Sequence, residues 1–247
     1  MKKPVATTAG RVYTIIMTRG ILIAGNESAL INAIEDETAR RVKRYAITLI
    51  QDRFSTDEVK PGNQPRHESP SPDSAADSLK KGRNLLDWNP GSAISARTLV
   101  IAAENRLGRI DEAILVCYPP SACYALADLG LADVEVMVNE HIKGWFFLVK
   151  ELTAVFKARG EGTLALVYPE TGGKDGAELL GQAALAAFRS FTHGLLSVAS
   201  DEPYLTMGFG GADDEKGFAA FIFKQLEEGN RRSNGKLHKY GKLGFFR

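Results

Sequence analysis

The feature that most constrains the fold is a repeated order along the chain, in which a short apolar run precedes a helical apolar pattern. Residues 20–25 form the first apolar run, residues 26–28 form a polar turn, and from Ala29 onward apolar side chains recur at helical spacing. A second apolar run occupies residues 45–50. Because a parallel strand buried on both faces shows a continuous apolar run, this segment predicts a βαβ unit.

The same alternation continues along the rest of the chain. Further strands are predicted at 84–88, 113–118, 163–168, 204–209 and 236–240, with helices after Ser92 and at 140–159, 181–199 and 215–226. Alternating strands and helices favour parallel strands joined by right-handed crossovers. The sequence therefore predicts an α/β fold, a Rossmann-like doubly wound parallel sheet in a three-layer α/β/α sandwich.

A change of composition interrupts this pattern once. Between about residues 55 and 82 the chain is rich in Pro and Ser and has almost no large apolar side chain, which predicts a disordered, exposed insertion. Residues 1–16 are interpreted as an N-terminal extension. The 247-residue chain is then predicted to form a single Rossmann-like domain over residues 17–247.

The charge balance argues against several classes of partner. The 31 Lys and Arg residues face 30 Asp and Glu residues, for a net charge of +1, so no long-range field attracts nucleic acid or an anionic membrane. No apolar run approaches the roughly 18 residues that span a bilayer, and we expect a cytoplasmic protein. The two cysteines, Cys117 and Cys123, cannot supply a four-ligand zinc site, and the four histidines show no ligand spacing. No metal is expected.

Several segments, in order and spacing, resemble the short-chain dehydrogenase/reductase family of NAD(P)-dependent oxidoreductases. The resemblance covers roughly residues 17–247 apart from the insertion, and it implies a Rossmann fold with a site at the carboxyl ends of the strands. The matching segments are a Gly-x-Ile-Asp turn at 108–111, the third predicted strand with its Asp87, Val138-Asn139, the strand entry at 160–167, the small-residue helix from Gln182, and 234–237.

The resemblance also locates the catalytic positions, and most of them are changed. The family uses a Tyr and a Lys four residues apart, in which the ammonium lowers the phenol pKa so that a proton can move while hydride is transferred. Those positions hold Glu178 and Gln182, and Asn139 is the one family catalytic residue that is matched. Because a carboxylate and an amide cannot perform this proton transfer, the sequence predicts a catalytically degenerate member.

The cofactor positions implied by the resemblance are altered as well. Of the phosphate-loop glycines only Gly25 remains; Asn26 and Ser28 stand in the same loop, whereas Ala29 and Ile31 add side chains where phosphate would lie. The other candidate cofactor contacts are Asp52 and Arg53, toward a ribose or its 2′-phosphate, and Asp87, toward an adenine.

Two rival catalytic arrangements stay open. Tyr168 and Lys174 could form a wider Tyr–Lys pair, although the loop between them is rich in glycine. His141, beside Asn139 and Glu140, could act as a general base at the crevice, although a polar residue at a helix start is the commoner arrangement. Cys117 is expected to be an inert core residue.

These observations give three candidate functions. The first is a non-catalytic binding or assembly protein, expected to form a homodimer or homotetramer through helices 140–159 and 182–199, with another protein as a further candidate partner. Its support is a helix with two apolar stripes and a helix with a face of small residues. The second is a divergent oxidoreductase using NAD or NADP, and the third is a nucleotide sensor that moves the insertion.

Overall fold

The computed structural model describes residues 19–42, 44–50, 84–118, 129–170, 179–211, 214–229 and 232–241. The predicted N-terminal extension, the whole of the predicted insertion, and Lys174, Glu178, Asp52 and Arg53 lie outside these residues. The strands are β1 Gly20–Asn26, β2 Arg44–Ile50, β3 Glu112–Val116, β4 Thr163–Pro169, β5 Leu205–Gly211 and β6 Lys236–Lys239. The helices are α1 Ala29–Arg41, α2 Ala93–Leu107, α3 Leu131–Val136, α4 Gly144–Arg159, α5 Leu179–Val198 and α6 Glu215–Glu227, and a π-helical segment, Met137–Lys143, joins α3 to α4.

The six strands form one parallel sheet in the order β2-β1-β3-β4-β5-β6. The order reverses between β1 and β3, since the chain leaves β1 toward β2 and later returns to the other side of β1. This reversal is the switch point of a doubly wound sheet. The predicted fold class is therefore confirmed.

Two layers of helices cover the sheet. Alternate residues of each strand point to opposite faces, so one apolar run supplies both cores. On one face the strands pack against α2, α4 and α5, in a core that includes Leu22, Leu115 and Phe188. On the other face they pack against α1 and α6, in a core that includes Ile23 and Phe209. The three-layer arrangement thus follows from strands that are apolar on both sides.

The prediction of a strand at residues 84–88 is wrong, because only Leu85 of this segment pairs with the sheet. It forms a single parallel bridge to Ile47 of β2, in which the Ile47 N–H donates to the Asn84 carbonyl at 2.9 Å and the Leu86 N–H donates to the Ile47 carbonyl at 2.8 Å. The Asn89 N–H turns away to the Ser95 hydroxyl, and Pro90, which follows it, has no N–H. The ladder therefore stops after one bridge.

The long helix predicted to begin at residue 140 begins earlier. The helical chain runs from Leu131 through the π-helical segment to Arg159, so residue 140 lies inside that segment. Both predicted apolar stripes are largely covered. Trp145, Leu148 and Leu152 of one stripe are buried, and so are Val149 and Phe156 of the other, in which Phe146 remains 49% exposed. The reason is that α4 is covered by α2 as well as by the sheet, and by aromatic rings of α5.

Among the described residues, no helix combines the length and the apolar character needed to cross a membrane.

Candidate functional site

The crevice where β1 and β3 end is the place where a doubly wound sheet binds ligands. β1 ends at Asn26, and α1 begins at Ala29 after a two-residue turn. β3 ends at Val116, and its neighbour β4 ends at Pro169. Several of the residues predicted to form the site lie at these strand ends and at the helices that flank them.

Gly25 is required by close packing at the end of β1. A Cβ atom at this position would lie 2.5 Å from the Val116 carbonyl oxygen and 2.8 Å from Cδ1 of Ile31. Ile31 is fully buried and belongs to the core between α1 and the sheet, whereas Ala29 is exposed at the first turn of α1. The Ile31 side chain therefore packs in the core beneath the turn rather than at a phosphate position. Of the two side chains that replace family glycines, Ala29 is the one that faces solvent.

The amino terminus of α1 keeps part of a phosphate-binding arrangement. Ser28 is the N-cap residue, and its hydroxyl accepts a hydrogen bond from the Ile31 N–H at 3.2 Å. The remaining first-turn amides of a helix have no acceptor within the helix, and the helix dipole favours an anion there. Glu27 is exposed immediately before the cap and opposes an anion by its charge. The turn is thus compatible with a phosphate group but less favourable than a glycine-rich loop.

Asn26 and His141 form a buried polar contact at the same crevice. Nδ2 of Asn26 lies 3.3 Å from Nδ1 of His141, and the two residues are 4% and 2% exposed. His141 belongs to the π-helical segment, and short π-helical segments are frequent at functional sites. The sequence indicates both residues as separate candidates and does not join them, since they are 115 positions apart.

Asn139 is in the same π-helical segment, one helical turn before a lysine. Its Oδ1 accepts a hydrogen bond from Nζ of Lys143 at 2.8 Å. The Cβ of Asn139 lies 3.6 Å from where a side chain at Gly91 would begin, so Asn139 borders the turn that leads into α2. Lys143 is not predicted from the sequence, because nothing around it distinguishes it from a solvated surface lysine.

Gln182 lies in the first turn of α5 and is exposed. Two residues farther along the helix, Ala184 is buried against Met137 of the π-helical segment. Gln182 carries a neutral amide, which neither supplies a positive charge nor exchanges a proton at neutral pH. Because residue 182 is a glutamine, this position of the family resemblance carries no ammonium group.

Tyr168 lies at the end of β4 and is 3% exposed. Its ring meets the edge of Phe188 at a centroid distance of 6.4 Å, and the guanidinium carbon of Arg189 lies 5.3 Å from the ring centre. Burial raises the pKa of Tyr168, and the positive charge of Arg189 opposes that shift without cancelling it. The phenol therefore stays protonated at neutral pH.

Arg189 holds the end of β4 in place, a role the sequence did not indicate. Its guanidinium donates to the backbone carbonyls of Pro169 at 2.5 Å and Glu170 at 2.7 Å. Glu170 in turn pairs with Lys239 of β6 at 2.9 Å. These contacts join the carboxyl ends of β4 and β6 beside the crevice.

The other candidates of the described chain lie apart or are inert. Asp87 is exposed in the segment after the Leu85 bridge. Cys117 is buried, and burial raises the pKa of its thiol to about 12, so it is no nucleophile. Across the described residues no group of three His, Cys, Asp or Glu side chains is placed to hold a metal ion.

Known proteins resemble this chain in structure more than in sequence. No model of a protein family matches the sequence, and no curated protein does either. Among solved structures, a short chain dehydrogenase from Bacillus anthracis str. 'Ames Ancestor' matches with a TM-score of 0.65 and 12% identity, over 90% of this chain and 94% of that chain. An NADH-dependent reductase A1-R' complexed with NAD matches with a TM-score of 0.61 and 16% identity, over the same shares. A citronellol catabolism dehydrogenase of Pseudomonas aeruginosa PAO1 matches with a TM-score of 0.61 and 13% identity, over 90% and 92%.

Proposed function

We propose that this chain, which has the fold of the short-chain dehydrogenases/reductases, is a homodimeric binding or assembly protein that has lost the tyrosine–lysine chemistry of that family. The observation that carries this proposal is the exposed amide of Gln182 in the first turn of α5, where the family resemblance calls for an ammonium group. In the family an ammonium group lowers the pKa of the catalytic phenol, and the neutral amide of Gln182 cannot do so.

The rival acid at the crevice does not replace this chemistry. Tyr168 has a raised pKa, and Arg189 lies over the face of its ring. A guanidinium over the ring face interacts with the π-electrons rather than donating to the phenol oxygen. The buried ring of Tyr168 thus has the character of a core residue at the strand end.

An exposed apolar surface supports the assembly part of the proposal. The outer side of α3, the π-helical segment and α4 carries exposed Leu131, Val134, Val138 and Phe146. Phe146 packs on Phe191 of α5 at a ring-centroid distance of 4.2 Å. The exposed face of α5 beside it carries small residues, which allow a second helix to approach closely; these are Ala183, Ser190, Gly194 and Ser197.

A charge placed in this surface tests the assembly. We expect the wild-type protein to have the mass of a dimer at micromolar concentration by analytical ultracentrifugation, and Phe146→Lys to have the mass of a monomer. Ile94→Lys is the matched control, because Ile94 is 80% exposed on α2 and lies outside the surface just described. A monomeric wild-type protein, or equal dissociation by both variants, would contradict the proposed dimer.

A divergent NAD(P)-dependent oxidoreductase is the second candidate. It is favoured by the Gly25 to Ser28 turn at the start of α1, which keeps a capped helix terminus at the crevice. The fold is also that of a reductase solved with NAD. Binding of NAD or NADP would involve Gly25, Asn26 and Ser28, with the buried Asn26–His141 contact forming one wall.

The two candidates differ in hydride transfer, which can be measured directly. Calorimetric titration with NAD⁺, NADH, NADP⁺ and NADPH up to about 1 mM establishes whether a dinucleotide binds. Oxidation of the reduced form that binds is then followed by its absorbance with a panel of aldehydes and ketones. We expect no saturable oxidation. Turnover that Tyr168→Phe abolishes and Gln182→Ala preserves would overturn the non-catalytic proposal in favour of the oxidoreductase.

A further inference from the structure

The turn that precedes β6 contains the one asparagine of the sequence that is followed by a glycine, Asn234-Gly235. In such a pair the Gly235 backbone nitrogen can attack Cγ of Asn234, because glycine has no side chain to obstruct the five-membered ring that forms. The bond from this nitrogen to Cγ forms and the bond from Cγ to Nδ2 breaks, so that ammonia leaves with the proton of the Gly235 nitrogen. Water then opens the succinimide at either carbonyl, which gives aspartate or isoaspartate.

The folded turn engages both reacting groups. Oδ1 of Asn234 accepts a hydrogen bond from the Thr206 N–H at 2.8 Å, and Nδ2 donates to the Ala199 carbonyl at 2.7 Å. The Gly235 N–H donates to the Thr206 carbonyl at 2.9 Å. The Gly235 nitrogen cannot lose its proton without breaking this bond, and the Asn234 side chain cannot rotate toward it without breaking the other two. The reaction therefore requires the turn to leave β5 first.

The fold itself requires this reactive pair of residues. The φ angle of Gly235 is 72°, in the left-handed region that favours glycine, and a Cβ atom there would lie 2.9 Å from the Leu196 carbonyl oxygen. Asn234 joins the start of β5 to the chain that follows α5, through its two side-chain hydrogen bonds. The reactivity of the pair is thus a consequence of the geometry of the turn.

β6 is a short edge strand, and its separation from β5 would free the turn. It has four residues, all exposed or half-buried, and among the described strands it pairs with β5 alone. Its side-chain contacts are few: Leu237 packs beside Gly208, and the ring of His238 stacks on Phe209 at a centroid distance of 5.4 Å. Opening of such a strand costs less free energy than unfolding of the whole sheet.

We propose that Asn234 is a site of spontaneous deamidation, which is closed in the folded chain and opens when β6 separates from β5. The product does not restore the original contacts. An aspartate keeps an acceptor for the Thr206 N–H, but it has no donor for the Ala199 carbonyl and places a negative charge against that oxygen. Isoaspartate also lengthens the main chain by one methylene before Gly235, which shifts the register of β6. Deamidation therefore leaves β6 more weakly held, and the change is one-way.

Incubation of the full chain at mildly alkaline pH tests the reaction. Peptide mapping by mass spectrometry measures the conversion of Asn234, and enzymatic methylation detects the isoaspartate. We expect conversion in native buffer to be at least about tenfold slower than in concentrated urea. Absence of conversion in urea, or equal rates in the two conditions, would overturn the proposal.

Two truncations distinguish opening of β6 from unfolding of the whole domain. Leu237→Ala removes a packing side chain of β6, and we expect it to speed native conversion at least about fivefold. Leu152→Ala is the control, because Leu152 is fully buried in α4 and should leave the rate within about twofold. Equal acceleration by both would assign the reaction to global unfolding and overturn the proposal. Lys239→Ala, which removes the ion pair with Glu170, is the second test if Leu237→Ala does not fold.

Asn234→Asp reproduces one product and tests its effect on β6. The amides of Gly235 and Tyr240 both donate to carbonyls of β5, and we expect their hydrogen exchange to be at least about tenfold faster than in the wild type. Asn105→Asp is the control, since it makes the same change of charge at an exposed side chain of α2. Unchanged exchange in Asn234→Asp would contradict the weakened attachment of β6.

Discussion

Gly25 illustrates how a single residue reports packing rather than a ligand. It is the family glycine that the sequence retains, yet the structure explains it by the 2.5 Å that would separate a Cβ atom at this position from the Val116 carbonyl oxygen. The contact is with backbone, which cannot move aside without breaking the β1–β3 ladder. Retention of Gly25 alone is therefore no evidence for a dinucleotide.

Substitution of Gly25 should accordingly affect stability without any ligand. We expect Gly25→Ala to lower the free energy of unfolding by about 2–3 kcal/mol, as overpacking against a rigid backbone does. Gly91→Ala is the control, since a side chain there would meet its nearest neighbour at 3.5 Å, an ordinary contact. Urea unfolding monitored by circular dichroism measures both, and an unchanged midpoint for Gly25→Ala would contradict the packing explanation.

Some contacts at the candidate site join residues that are close in sequence, and others do not. The Ser28 cap and the Asn139–Lys143 contact are local, three and four positions apart. The contacts that shape the crevice are not local: His141 meets Asn26 across 115 positions. Periodicity carries no information on such pairs, so they emerge only from the tertiary fold.

The helix α4 shows the same limit at the scale of an element. Its apolar spacing correctly predicted a helix with two apolar faces that are covered. On the sequence alone, the second face is expected to be covered by another copy of the chain. The structure covers most of that face with the chain's own α2 and α5. Apolar spacing indicates that a face is buried, and it does not indicate by what.

Two truncations on α4 distinguish the covered face from the exposed one. Leu152 is fully buried, and Leu152→Ala should cost about 2–5 kcal/mol of unfolding free energy through the cavity it leaves. Phe146 is 49% exposed, and Phe146→Ala should cost the folded monomer about 1 kcal/mol, mainly its contact with Phe191. Denaturant unfolding at low protein concentration gives both values. A larger loss for Phe146→Ala than for Leu152→Ala would contradict the burial pattern of α4.

At the scale of the whole molecule, two side chains of the described residues couple folding to pH in the same direction. The pKa of Asp214, the N-cap of α6, is lowered by the Gly217 N–H and then by the Tyr240 hydroxyl. The pKa of His238 on β6 is lowered by burial and then by the charge of Lys236. In both cases the unfolded chain binds a proton at a higher pH than the folded chain, so stability falls on acidification.

We therefore expect stability to decline in two stages as the pH falls. The first stage begins near the ordinary His pKa of 6.5, and the second begins near the ordinary Asp pKa of 3.8. His238→Gln should flatten the first stage alone, and Asp214→Asn should flatten the second alone. Thermal unfolding across about pH 3–8 measures both, with each variant as the control of the other. A wild-type midpoint that rises on acidification would contradict the signs.

The sequence by itself determined the class of fold and nearly all of its elements. Continuous apolar runs separated by amphipathic helices leave few alternatives to a parallel sheet covered on both faces, because every strand has two apolar sides to bury. The same pattern failed at residues 84–88, where one bridge to Ile47 replaces a strand, since backbone pairing depends on where Asn89 and Pro90 direct the chain.

Only the tertiary structure decided what lies at the two ends of the sheet. It joined His141 to Asn26 at one edge and gathered Arg19, Glu112 and Arg159 at the other. The physical reason is that polar side chains at strand ends acquire their partners from other strands and helices, at distances in sequence that no local pattern encodes. Secondary structure is a property of short segments, whereas a binding site is a property of their assembly.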